Sequence, residues 1–86
     1  MAEPAFTKAF LRRSIEVEKE ASKAELELLD RTLAQIVADP YLPGRFATFY
    51  DPLHPTFLVR AAPYLIEFAL DEKADRIIFV SLFYRR

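Results

Sequence analysis

The sequence predicts an α+β domain in which an N-terminal helical hairpin packs on a small antiparallel sheet of about four strands. Two observations indicate this class. Residues 5–39 contain neither proline nor glycine and are rich in helix-forming side chains. Residues 41–86 instead hold short apolar runs separated by polar or proline-containing turns. Helices followed by sequential strands are typical of α+β folds, and 86 residues are expected to form one domain, residues 1–86.

The N-terminal segment is too long for a single helix of a small domain, so a break is expected. Thr7 is a candidate N-cap for a first helix over residues 7–19, and Pro4 is an alternative first-turn residue. An apolar stripe is expected along this helix. Its candidate members are Phe6, Ala9, Phe10 and Ile15.

A second helix is predicted over residues 22–38. Ser22 and Glu25 have the spacing of a capping box, and apolar residues follow at helical intervals. Asp39-Pro40 is expected to end this helix, because a residue that precedes proline disfavours the helical region. The short link between the helices predicts an antiparallel hairpin.

Four runs in the second half have the composition of strands. They cover residues 45–50, 57–61, 64–70 and 76–84. The last two runs are joined by the charged residues 71–75, which predicts an antiparallel hairpin. Because residues 64–70 contain one charge, this strand is expected to be central and covered on both faces.

Side chains of the closing strand are expected to alternate between two faces, and both faces are apolar. One face is expected to hold Ile78, Val80, Leu82 and Tyr84, and the other Ile77, Phe79 and Phe83. The helical hairpin can cover only one of these faces. We therefore expect a partner protein or a homodimer to cover the other, near residues 79–83.

Composition limits the classes of function. Residues 1–40 carry a net charge of −2 and residues 41–86 a net charge of +1, which is not the basic balance of a free-standing nucleic-acid binder. The absence of cysteine excludes disulfides and cysteine-based metal sites. No apolar stretch approaches the roughly 20 residues of a membrane helix, and the N-terminus does not resemble a signal peptide. A cytoplasmic protein without membrane contact is expected.

Several motifs resemble a known family. They are "IVADP" at residues 36–40, "LPGR" at 42–45, "RAAPYLIEFALD" at 60–71 and "RIIFVSLFYRR" at 76–86. In this order they resemble the RelE/ParE superfamily, the toxins of type II toxin–antitoxin systems. The resemblance covers nearly the whole chain and implies a helical hairpin on an antiparallel sheet.

The resemblance implies a toxin that inhibits growth and is neutralised by an antitoxin protein. RelE-like members cleave mRNA in the ribosome as metal-independent endoribonucleases (mRNA interferases), whereas ParE-like members act on a protein target, DNA gyrase. The alternative is a catalytically inactive RelE-like protein-interaction domain. The sequence departs from the nuclease pattern where many members have a basic residue or histidine, because Phe83 and Tyr84 occupy those positions. Tyr64 likewise stands where an arginine is common.

RNA cleavage without a metal needs a base for the 2′-hydroxyl, an acid for the leaving oxygen and cations for the phosphorane charge. If the chain is a nuclease, the candidate catalytic residues are Arg60, Tyr84 and Arg85. The candidate binding residues are Arg45, Arg86, Phe79 and Phe83. For the two closing arginines the alternative is a solvated chain end, and for Arg45 it is a loop-edge arginine.

The remaining candidate is His54, the single histidine, whose imidazole has a suitable unperturbed pKa for acid–base work. It lies in a proline-flanked loop, where a surface histidine without a catalytic role is the simpler interpretation. One histidine and no cysteine predict no metal site, and no motif indicates a cofactor.

Overall fold

The computed structural model describes residues 3–48 and 53–84. In this part of the chain, two helices cover one face of a five-stranded mixed sheet with the strand order β1-β5-β4-β3-β2. The elements are β1 (Glu3–Phe6), α1 (Lys8–Glu20), α2 (Lys23–Ala38), β2 (Phe46–Ala47), β3 (Phe57–Ala61), β4 (Tyr64–Asp71) and β5 (Arg76–Tyr84). The α+β class is confirmed, with one strand more than the four expected.

Both helices begin at the capping residues that the sequence indicates. The hydroxyl of Thr7 accepts a hydrogen bond from the backbone N–H of Phe10, and it donates to the carbonyl of Val80 on β5. Ser22 and Glu25 form the reciprocal capping box at the start of α2. These bonds satisfy amide groups that a helix start leaves without partners, which explains why the helices begin there.

The apolar face of α1 differs from the predicted stripe. Phe10 and Val17 are buried, whereas Ile15 is 57% exposed and Ala9 is also exposed. Phe10 and Val17 are seven residues apart, nearly two full turns, so they share the face that packs on the sheet. Ile15 lies on the opposite side of the helix. Phe6 belongs to β1 and reaches the core from the sheet.

Strand β1 is the element that the sequence analysis missed. It pairs in parallel with β5, from Glu3 opposite Arg76 to Phe6 opposite Phe79. The other pairs, β2–β3, β3–β4 and β4–β5, are antiparallel as expected. The first antiparallel strand is shorter than predicted, since β2 holds two residues; positions 49 and 50 of the predicted run lie outside the described residues.

A β-bulge in β5 changes which side chains face the helices. Phe79 is opposite Phe68, but Ser81 is opposite Glu67, so Val80 is an extra residue on β5. Beyond the bulge the alternation shifts by one residue. Leu82 is therefore buried on the same face as Phe79, and the predicted grouping of Leu82 and Tyr84 with Ile78 is wrong.

The core lies between the helices and this face of the sheet. Phe79 is at its centre, with ring centroids 5.1 Å from Phe6, 5.7 Å from Phe10 and 6.4 Å from Phe68. The other buried apolar residues are Val17, Leu29, Ile36, Val59, Ala61, Tyr64, Ile66, Ile77 and Leu82. The core thus occupies one side of the sheet and leaves the second side for other contacts.

Candidate functional site

The side of the sheet opposite the helices is the candidate site, and we call it the open face. No helix of the described residues packs on it. Cross-strand register places six side chains together at its centre: Leu58 and Arg60 of β3, Leu65 and Glu67 of β4, and Ser81 and Phe83 of β5. The open face therefore combines apolar side chains with one guanidinium and one carboxylate.

Arg60 is exposed on the open face, as a candidate catalytic cation must be. It is opposite Leu65, and Leu65 is in turn opposite Phe83, so the three side chains form a row across three strands. Phe83 is 43% exposed. The row holds a cation at one end and an exposed aromatic ring at the other, side chains of the kinds that bind a phosphate and stack on a base.

Glu67 is a charged residue at the centre of the open face that the sequence does not single out as a candidate. It is 8% exposed, although it is charged and lies on β4 in the middle of the sheet. Its Oε2 atom accepts a hydrogen bond of 2.6 Å from the hydroxyl of Thr56. The signal that could have identified it is a single carboxylate within an otherwise apolar strand.

Tyr84 lies on the helix side of the sheet. Its ring packs edge-on against that of Tyr64, with centroids 5.4 Å apart. Burial raises the pKa of the Tyr64 hydroxyl above its ordinary value, and the carboxylate of Glu25 adds to the shift. Arg60 and Tyr84 are thus on opposite faces, and the structure does not bring these two candidate catalytic residues together. Arg85 and Arg86 lie outside the described residues.

The two phenylalanines predicted to bind a partner have different environments. Phe79 is fully buried in the core. It precedes the bulge, and its side chain faces α1. It offers no surface to a partner in this conformation. Phe83 is exposed on the open face. Of these two side chains, Phe83 is the one that is accessible to a partner.

Arg45 lies away from the open face. Its guanidinium carbon is 4.0 Å from the ring centroid of Phe57 and 4.8 Å from that of Tyr41. One of its N–H groups donates to the carbonyl of Pro40, just beyond α2. Phe57 contacts the core ring of Phe68, with centroids 5.7 Å apart. These contacts give Arg45 a structural role and separate it from Arg60.

His54 is exposed in the loop before β3. Within residues 3–48 and 53–84, no group of three or more histidine, aspartate or glutamate side chains is arranged to hold a metal ion. Neither described helix combines the length and the apolar character that a membrane span requires.

The fold is similar to that of solved structures, although the sequence matches no protein-family model and no curated protein. The chain is similar to the isolated RelE toxin of E. coli, with a TM-score of 0.71 and 12% identity over 100% of this chain and 86% of that chain. It is similar to the archaeal RelE–RelB complex from Pyrococcus horikoshii OT3, with a TM-score of 0.73 and 12% identity over 98% and 94%.

A third likeness is to a metal-bound toxin from Helicobacter pylori, with a TM-score of 0.72 and 17% identity over 98% of this chain and 94% of that chain. At these identities the likeness concerns the fold. It extends over nearly the full length of the chain and of its relatives, so it includes the helices and the sheet. The family resemblance seen in the sequence is thus confirmed at the level of architecture, and the chain has a RelE-like toxin fold.

Proposed function

We propose that this chain is the toxin of a type II toxin–antitoxin pair. The observation that carries the proposal is the likeness to RelE toxins over 98–100% of the chain, together with a sheet face that no described helix covers. A toxin of this kind inhibits growth when it is free and is silent when its antitoxin is bound. Growth inhibition on its own expression is therefore the property to test first.

The proposed partner is an antitoxin protein. The Pyrococcus horikoshii relative is a RelE–RelB complex, so a protein of this fold binds a second protein. In the present chain, Phe83 on the open face and Phe46 on β2 are both exposed. Exposed aromatic side chains of this size favour contact with another chain. The antitoxin is proposed to cover the open face, and without it we expect self-association.

The proposed mode of inhibition is mRNA cleavage, with Arg60 as the phosphate-binding cation. Arg85 remains a second candidate cation, and Tyr84 a candidate for stacking or proton donation from the rim of the sheet. This mode is supported by the exposed side chain of Arg60 and by Phe83 in the same cross-strand row, beyond Leu65. A protein target such as DNA gyrase is the second candidate, and it is favoured by the apolar side chains Leu58 and Leu65 that flank Arg60.

Induced expression in bacteria tests the proposal. Growth arrest that is relieved by co-expressing the neighbouring-gene product is expected. Mapping of mRNA 5′ ends then separates the two modes, since new ends indicate cleavage, whereas a DNA-damage response with intact mRNA indicates gyrase. Arg60→Ala is expected to lower cleavage on the order of 10²–10³-fold, the usual effect of removing one transition-state contact.

Arg12→Ala is the matched control, because Arg12 is exposed on α1 on the other side of the molecule. This variant should arrest growth like the unmodified chain. Expression that leaves growth unaffected would overturn the toxin proposal and support an inactive interaction domain.

A further inference from the structure

The environment of Glu67 is unusual for a carboxylate. Glu67 belongs to β4, the middle strand of five, and it is 8% exposed. Its cross-strand neighbours are Leu58 on β3 and Ser81 on β5. No lysine or arginine of the described residues forms an ion pair with it. A carboxylate that is nearly buried and has no ion pair with a described lysine or arginine is costly to stability, which suggests that it serves another purpose.

Two hydroxyl groups fix the orientation of this carboxylate. The hydroxyl of Thr56 donates to Glu67 Oε2 over 2.6 Å, and it lies 2.6 Å from the hydroxyl of Thr48. An ionised carboxylate only accepts hydrogen bonds, and a hydroxyl has one proton to donate. Thr48 must therefore donate to Thr56 when Thr56 donates to Glu67. The resulting chain holds the carboxylate in one orientation on the open face.

Of the described cations on the open face, Arg60 is the one nearest to Glu67 in the strand register. It is opposite Leu65, and Glu67 is two residues further along β4. Diagonal neighbours of this kind have Cβ atoms about 7–8 Å apart. A phosphodiester and the adjoining ribose fit between two side chains at this separation, with the phosphate at the guanidinium and the 2′-hydroxyl at the carboxylate. Phe83 lies beyond Leu65 in the same row, where it can stack on a base.

We propose that Glu67 is the proton acceptor of an RNA-cleaving site on the open face, with Arg60 binding the scissile phosphate and Thr56 positioning the carboxylate. This rests on the proposed function in its mRNA-cleavage form. The 2′-hydroxyl gives its proton to Glu67 as its oxygen bonds to phosphorus. The bond from phosphorus to the 5′-oxygen breaks, and that oxygen takes a proton from water. The products are a 2′,3′-cyclic phosphate and a 5′-hydroxyl, and Glu67 returns its proton to solvent.

The test measures single-turnover cleavage of a reporter mRNA in a bacterial translation extract. Glu67→Gln keeps the shape and an oxygen that accepts from Thr56, but it removes the base. Cleavage should fall on the order of 10²–10⁴-fold, the usual contribution of a general base. Binding of the same mRNA with a 2′-deoxy substitution at the cleavage site should be unchanged. A purely structural role for Glu67 would weaken both cleavage and binding.

Matched variants separate the roles of the three residues. Glu72→Gln is the control, since Glu72 is an exposed carboxylate that accepts from the hydroxyl of Tyr41 at 3.0 Å and lies in the β4–β5 turn. It should cleave at the full rate. Thr56→Val should slow cleavage, and Thr56→Ser should restore it. Arg60→Ala should weaken binding of the 2′-deoxy mRNA as well as cleavage, because Arg60 is assigned to the phosphate.

The outcomes distinguish this inference from the proposed function. Growth arrest by the unmodified chain without mRNA cleavage would overturn the assignment of Glu67 and leave the toxin proposal standing. Absence of arrest would overturn both. Full cleavage by Glu67→Gln would overturn the assignment alone. If Glu67→Gln fails to fold, Arg60→Ala tests the inference, because the exposed side chain of Arg60 can be removed without loss of packing. Unchanged cleavage by Arg60→Ala would overturn the inference.

Discussion

Individual residues of this protein have roles that depend on neighbours distant in the sequence. Arg45 was a candidate binding residue because it is a cation near a predicted strand. The structure places it between the rings of Tyr41 and Phe57 and bonds it to Pro40. Arg60, a candidate catalytic cation, is exposed on the open face. Glu67 cannot be identified as a site residue from the sequence, because one charge in an apolar run indicates only a central strand.

Replacement of Arg45 should therefore affect stability and leave activity intact. Arg45→Ala removes two cation–π contacts and one hydrogen bond, for which we expect a loss of about 1–2 kcal/mol in the free energy of unfolding. Arg45→Lys should recover part of this, since lysine keeps the charge but loses the planar stacking. Urea denaturation measures both values. Arg31→Ala on the exposed surface of α2 is the control, and an equal loss in that variant would contradict the role assigned to Arg45.

At the level of elements, the sequence predicts correctly those features whose hydrogen bonds involve neighbouring residues. The caps at Thr7 and Ser22 and the extents of β3 and β5 agree with the sequence because they depend on adjacent residues. Strand β1 could not be predicted, since "EPAF" has no strand alternation and its partner lies near the other end of the chain. The bulge at Val80 was also unpredictable, because it reflects the fit of two strands and not the composition of one.

The capping box provides a test at the level of elements. Ser22→Ala removes the side-chain oxygen that accepts from the N–H of Glu25, and it should lower the free energy of unfolding by about 1 kcal/mol. Thermal denaturation followed by circular dichroism measures the change. Ser14→Ala is a suitable comparison, because the hydroxyl of Ser14 donates only to the carbonyl of Leu11 within α1, where alanine is the better helix former. A larger loss for Ser14→Ala would contradict the capping role.

At the level of the whole molecule, the helices and core lie on one side of the sheet and the open face on the other. The sequence predicted that one face would need an external partner, and it placed Phe79 and Phe83 together there. The bulge assigns them to opposite sides, so that Phe79 is buried and Phe83 is 43% exposed. The sheet edges offer little to a partner: β2 has two residues, and Pro4 on β1 has no amide proton to donate.

This division predicts opposite effects for two similar substitutions. Phe79→Ala should cost about 3–5 kcal/mol of stability, because it empties the centre of the core. Phe83→Ala should leave stability nearly unchanged, but it should reduce self-association and weaken binding of the proposed antitoxin. Denaturation and light scattering measure the two properties. Strong destabilisation by Phe83→Ala, or unaltered association, would refute the assignment of the open face.

The position of β5 has a consequence for the timing of folding during synthesis. β5 lies between β1 and β4 in the sheet, but it is the last of the five described strands to leave the ribosome. The hydrogen bond from Thr7 to Val80 joins residues 73 positions apart. The first strand therefore cannot be fixed in the sheet before the last strand has been made. Strand β1 therefore has no native partner until translation has passed β5, although β2, β3 and β4 can pair with one another before then. The complete open face is therefore assembled only after β5 has left the ribosome, because Ser81 and Phe83 belong to this strand.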